Sequence, residues 1–199
     1  MYWETVMSNE WDDFAETWEQ NPATAVFAER AFNELNKLVS LKGLKVLDFG
    51  CGTGLLAQQL SPIVKEIVAL DTSEQMIEQL DAKELPNVEP VVDSLSRGLV
   101  AYHPAFRSQF DLIVASSVCG FVDDYEEIAK VANSLLNEGG LFVHWDWLAE
   151  NNKAGSGLTV KRSQKALDGA LFSSVDVNTP FTVETENGEL TVLMGVAQK

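Results

Sequence analysis

The sequence predicts an α/β domain built on a doubly wound, mainly parallel sheet. Three observations carry that prediction. Short apolar runs alternate with stretches of helical periodicity from residue 45 to residue 145. The first run leads straight into "GCGTG", three glycines within five residues. Two β-rich runs then flank Asn187-Gly188, the strongest short hairpin signal available, so an antiparallel hairpin should complete the sheet.

The elements follow in order. Residues 1–42 should form helical N-terminal cap structure, with Trp11, Phe14, Ala15 and Trp18 at helical spacing before the Asn21-Pro22 break. Gly43 introduces a buried strand at 45–49, followed by a helix at 55–60, a strand at 66–70 and a helix at 73–83. A strand at 88–92 precedes an ill-defined stretch, and another strand is expected at 111–115. A helix at 124–137, with Ile128, Val131 and Leu135 on one face, should be capped by Gly139-Gly140 before a strand at 141–145. A helix near 159–171 leads into "SSVDVNTPFTVET" and "ELTVLMGVAQK", the hairpin strands. The 199 residues suit a single domain, a 1–42 cap on a 43–199 core.

Bulk properties exclude several functions. No apolar run approaches the roughly 18 residues of a membrane span, and "MYWETVMSNEW" lacks the basic and apolar regions of a secretory signal. A net charge of −16 repels phosphate backbones, so nucleic acid is not the expected partner. "RSQK", 162–165, reads as a solvated helix face. Cys51 and Cys119 are expected as reduced thiols in a cytoplasmic protein. His103 and His144 fall at no metal-ligand spacing, so no metal is expected.

Gly50, Gly52 and Gly54 read G-x-G-x-G. A dinucleotide fingerprint would place its third glycine at position 55, which is Leu55, and a P-loop would need a following Gly-Lys-Ser/Thr. Asp71 ends the second strand, 21 residues after Gly50, where a carboxylate can accept both ribose hydroxyls. It also opens "DTSEQ", a helix-capping sequence, and both roles coexist if Thr72 or Ser73 caps the helix. Asp93 ends the third strand, where an exocyclic amine can be read. A glycine turn and two aspartates at three successive strand ends outline a nucleoside pocket.

This ordered set resembles the class I S-adenosylmethionine-dependent methyltransferases. "VLDFGCGTGLLAQQL" is similar to the family's first motif and is the most specific match; "VALDTSEQMIEQL" is similar to the second. "VEPVVDSLS", "FDLIVASSVCGFVDDYEEI" and "LLNEGGLFVHWDW" are similar to the motifs of the third, fourth and fifth strands. The resemblance implies strand order 3-2-1-4-5-7-6 with strand 7 antiparallel. It implies S-adenosylmethionine as cofactor and S-adenosylhomocysteine as product. Asp48, Gly50, Cys51 and Gly52 would lie at the amino-acid end of the cofactor, with Ser116 offering a carbonyl to its ammonium. Asp71 and Thr72 would lie at the ribose, and Met76, Asp93 and the Ser94 N–H at the adenine. Many relatives carry a histidine after the fourth strand where Gly120 stands, so no role of that histidine transfers.

Methyl transfer from a sulfonium needs alignment and water exclusion more than proton transfer. No catalytic triad is expected, and the catalytic residues stay unassigned. His144 reads as a locally bonded strand residue. Trp11, Trp18 and Trp145 are candidates for a lid or acceptor pocket; without a separate substrate domain, the acceptor should be a small molecule and the protein a monomer or homodimer. A non-catalytic S-adenosylmethionine-binding protein is the alternative, and Leu55 argues against a nicotinamide oxidoreductase.

Overall fold

The computed structural model describes residues 11–150, 157–186 and 188–199. One seven-stranded sheet organises it: β1 (Lys45–Phe49), β2 (Glu66–Asp71), β3 (Val88–Val92), β4 (Phe110–Ser116), β5 (Leu136–Trp147), β6 (Ser174–Thr185) and β7 (Gly188–Gln198). The order is β3-β2-β1-β4-β5-β7-β6. β1 to β5 pair in parallel, and β7 runs antiparallel between β5 and β6. The helices are α1 (Pro22–Leu38), α2 (Leu55–Leu60), α3 (Glu74–Asp81), α4 (Arg97–Tyr102), α5 (Tyr125–Leu135) and α6 (Val160–Gly169).

Period-2 alternation divides the core between the two faces of the sheet. Val46, Ile67, Leu112 and Val143 belong to the core with α1, α2 and α3. Leu47, Val68, Ile113 and Phe142 belong to the other, with α5 and α6. Both faces are covered, so the parallel strands are nearly continuous apolar runs. That arrangement brings the carboxyl ends of β1, β2, β3 and β4 to one edge.

Local sequence explains most boundaries. Asn21 caps α1 by accepting from the Ala23 N–H, with Pro22 at the first helical position. The Asn-Pro pair is thus a helix start. Trp11 and Asp12 are helical, residues 13–17 are turns held by bonds such as Phe14 N–H to Trp11 C=O, and Trp18–Gln20 is one turn of 3₁₀-helix. Of the helix expected there, the described part is α-helical at Trp11 and Asp12, and tighter turns take over from residue 13.

Three further boundaries differ from the sequence reading. The ill-defined stretch contains α4, capped by Ser96, and a 3₁₀ turn at Pro104–Phe106. Gly139-Gly140 does not cap α5, which stops at Leu135; fully buried Leu136 already pairs with Phe110 in the sheet. Gly139, at φ +78°, instead serves the irregularity between that pair and the regular ladder from Leu141. In the hairpin, Thr185 pairs with Gly188, so Gly188 opens β7; Asn187 lies outside the described residues.

Candidate functional site

The glycine turn follows β1 and is tied to β2. Gly50 N–H and Cys51 N–H both donate to the Leu70 carbonyl, at 2.7 and 3.1 Å, and Gly52 N–H donates to Asp71 Oδ2 at 2.8 Å. All three glycines have positive φ, +67°, +53° and +84°. A Cβ on Gly50 would lie 2.2 Å from Val118 Cγ2, and one on Gly54 2.3 Å from Leu80 Cδ1. Gly52 is different: its nearest neighbours would be Trp18 Nε1 at 3.9 Å and Met76 Sδ at 4.0 Å. Gly50 and Gly54 therefore serve close packing, while Gly52 lies under the cap.

The bonding of this turn bears on what it can hold. Its N–H groups at 50, 51 and 52 already have partners within the protein. A pyrophosphate site needs such groups free to point at the anion. A cationic ligand needs none of them.

Asp48 lies in the last part of β1, 1% exposed, with both carboxylate oxygens lacking a hydrogen-bond partner of normal geometry. Burial first, then the charge of Asp71, pushes its carboxyl up to about 7, against a weaker pull from the Ala57 N–H. A buried carboxylate of this kind calls for a cation beside it. Asp71 Oδ1 accepts from the Ser73 N–H at 2.9 Å, so each of its oxygens takes one backbone donor and keeps acceptor capacity. Burial raises the Asp71 pKa, opposed by these N–H donors and reinforced by Asp12.

The remaining sequence-predicted residues fall around this centre. Ser73 caps α3 by accepting from the Met76 N–H, leaving Thr72 exposed at the strand end and Met76 buried beside the turn. Cys51 is half-buried; burial pushes its thiol up, and Asp48 and Asp71 add to the shift. Asp93 continues past β3, with its N–H bonded to the Asp71 carbonyl. Its Oδ1 accepts the Ser94 N–H at 2.7 Å and its Oδ2 the Tyr102 hydroxyl at 2.5 Å. Two of the three residues expected at the adenine, Asp93 and Ser94, thus bond to each other, and the exposed ring of Tyr102 joins them. Ser116 ends β4, half-buried.

Trp145 corrects its expectation. It is fully buried in the core with Val143, Val183 and Val192, and its Nε1 has no partner. A large aromatic at the centre of a sheet covered on both faces fills core, and no acceptor surface is left to it. Trp11 and Trp18 do stay together, with ring centroids 5.9 Å apart, and Trp11 meets Phe121 edge-on at 5.3 Å. The residues 1–10, including Tyr2 and Trp3, lie outside the described region.

Several groups at the site were missed by linear reading. Glu19 Oε1 accepts from Thr53 Oγ1 and from Lys83 Nζ, both at 2.6 Å, tying the cap to the glycine turn and α3. Asp12 Oδ1 accepts from Ser73 Oγ. Two open grooves, around 36–42 with Ile63 and around Lys45, Glu66 and Pro86, lie away from the glycine turn, over which Trp18 sits.

A second polar cluster lies on the opposite face of the sheet. His144 Nδ1 meets Asp146 Oδ2 at 2.8 Å, and Nε2 meets Tyr125 Oη at 2.8 Å and Ser163 Oγ at 3.0 Å. Ser163, His144 and Asp146 repeat the bonding order of a hydrolytic triad, which the sequence reading did not expect. All three are at most 1% exposed, so the group is sealed within the core. Ser163 also shows that "RSQK" is not a wholly solvated face. Cys119, His144 and Asp146 bring ligand atoms within 4.8 Å of one another, a grouping invisible to linear spacing. The alternation in "FVHWDW" places His144 and Asp146 on one face and was the available signal.

Residues 18–172 match the family model described as a methyltransferase domain. An uncharacterised methyltransferase of Schizosaccharomyces pombe is 31% identical over 116 residues, covering 55% of this chain and 41% of its own. A ubiquinone biosynthesis O-methyltransferase of Chromobacterium violaceum is 25% identical over 147 residues, covering 72% of this chain and 60% of its own. The match thus spans less than two thirds of either relative. Among solved structures, the DhpI–S-adenosylhomocysteine complex has a TM-score of 0.72 at 19% identity, covering 96% of this chain and 93% of that one. The plantazolicin methyltransferase BamL, solved with S-adenosylhomocysteine, has a TM-score of 0.69 at 15% identity, covering 96% of each. These structures share the fold, and with the family-model match the chain belongs to the class I S-adenosylmethionine-dependent methyltransferases.

Proposed function

We propose that the protein transfers the methyl group of S-adenosylmethionine to a small-molecule acceptor. The observation that carries this reading is Asp48, a buried carboxylate without a hydrogen-bond partner of normal geometry, directly before a glycine turn whose N–H groups are engaged. An ammonium satisfies that carboxylate, and a dinucleotide pyrophosphate opposes it. Asp48, Gly50, Cys51, Gly52 and Ser116 would hold the amino-acid end, Asp71 and Thr72 the ribose, and Met76, Asp93 and Ser94 the adenine. Tyr102 joins that last group by its bond to Asp93.

When bound, S-adenosylmethionine would supply an electrophilic methyl carbon to the acceptor and would leave as a neutral thioether. The chain contributes position and dryness. The aspartates fix the nucleoside and ammonium, and Trp11, Trp18 and Phe121 exclude water; alignment of this kind is worth up to roughly 7–11 kcal/mol. Trp11 and Trp18 are the acceptor-side candidates. The small-acceptor reading draws on the ubiquinone-pathway relatives and the absence of a substrate domain in the described residues. Two free thiols fit a cytoplasmic setting, with the protein acting as monomer or homodimer.

Calorimetry with S-adenosylmethionine, S-adenosylhomocysteine and NAD tests the cofactor. Binding of the first two and not the third is expected; tight NAD binding would overturn the reading. Transfer of labelled methyl to a panel of phenols, amines, thiols and carboxylates then separates an enzyme from a non-catalytic binding protein.

A further inference from the structure

The buried cluster around His144 reaches the proposed cofactor site through one turn. Asp146 Oδ1 accepts from the Gly120 N–H at 2.8 Å, while its Oδ2 meets His144. His144 is held on its other side by Tyr125 of α5 and Ser163 of α6. The ring lies against Gly195 of β7, where a Cβ would fall 2.1 Å from Nε2. β5, β7, α5 and α6 thus converge on one imidazole and one carboxylate. The turn they grip, residues 117–121, is itself constrained. Ser117 has φ +61°, rare for a residue with a side chain, and its N–H donates to the Trp145 carbonyl at 2.7 Å. Phe121 N–H closes the turn on the Val118 carbonyl.

Both ends of this turn meet the cofactor region. Val118 packs on Gly50 so closely that any Cβ there would overlap it. Phe121 meets Trp11 of the cap. We propose that Asp146, oriented by His144, is a positioning residue: by holding the Gly120 N–H it fixes the turn that seats Val118 on Gly50 and Phe121 under Trp11. This deepens the methyltransferase reading and rests on it. Asp146 touches neither cofactor nor acceptor. Its role is to supply a buried acceptor to a strained turn that would otherwise relax.

The test compares three variants of the full chain by residue-resolved amide exchange and by calorimetric binding of S-adenosylhomocysteine. Asp146→Ala removes the acceptor; exchange at Gly120 should quicken at least tenfold and affinity fall at least fivefold. Asp146→Asn keeps an oxygen for Gly120, and its amide can face His144 in the other tautomer, so both readouts should return to within about threefold of wild type. Val131→Ala cuts the same core from α5 without touching the turn, and should lower the melting temperature while moving neither readout. If Asp146→Ala does not fold, Asp146→Ser removes the long reach in a milder way and is judged identically. Unchanged Gly120 exchange without the carboxylate, or equal effects in Val131→Ala, overturns the proposal. Failure of the wild-type protein to bind S-adenosylhomocysteine instead overturns the cofactor reading beneath it, whatever Gly120 does.

Discussion

Asp71 Oδ2 accepts the Gly52 N–H at 2.8 Å, joining the end of β2 to the turn that follows β1. The same carboxylate that we propose for the ribose therefore also fixes the glycine turn. Asp71→Ala should weaken S-adenosylmethionine binding tenfold or more, about 1.4 kcal/mol, by removing a charged acceptor and loosening the turn. Calorimetry on a variant with unchanged circular dichroism checks it; wild-type affinity would take Asp71 out of the site.

The three glycines should respond differently to substitution. Gly52→Val, at φ +53° and beneath Trp18, should abolish cofactor binding while leaving the helical circular-dichroism signal largely intact. Gly54→Ala strikes Leu80 at 2.3 Å and should lower the melting temperature instead. A Gly52→Val protein that binds normally would make the turn purely structural.

Asp48 predicts a pH dependence. With its folded pKa raised to about 7 from the ordinary aspartate value of 3.8, the folded protein keeps a proton that the unfolded chain has lost across that window. Stability is therefore full below about pH 4 and falls as pH rises through 7. The loss is at most a few kcal/mol. Asp48→Asn should flatten this slope in denaturant titrations between pH 4 and 8. In binding, an ammonium favours the ionised carboxylate, so affinity for S-adenosylhomocysteine should rise from pH 6 to 8 in wild type and stay flat in Asp48→Asn. A flat wild-type profile would remove Asp48 from the ammonium site.

Glu19 ties the cap to Thr53 and Lys83. Glu19→Ala should speed amide exchange across residues 11–19 severalfold, and added S-adenosylhomocysteine should slow it again by ordering the cap over the pocket. Deleting residues 1–20 should reduce turnover far more than S-adenosylhomocysteine affinity. Exchange that is slow without ligand and unchanged with it would mark the cap as fixed scaffold.

The sequence by itself determined the sheet and the strand-end residues. Period-2 runs, helix caps such as Ser73, and a glycine-rich turn after β1 are local signals, and local chemistry sets them. Asp48, Asp71 and Asp93 were legible because a parallel sheet carries the ends of successive strands to one edge. Tertiary structure decided what side chains meet across that edge and behind it. Trp145 looked like an aromatic for an acceptor pocket, but coverage of both sheet faces made it core. Gly139-Gly140 looked like a helix cap, until the pairing of Leu136 with Phe110 drew the chain into β5. The links between Glu19 and Thr53, and between Asp146, His144 and Ser163, join residues from 2 to 34 positions apart, and Val118 meets Gly50 across the turns that follow two different strands. Such contacts follow from packing of whole elements, which burial and hydrogen-bond demand settle together and no single stretch of sequence encodes.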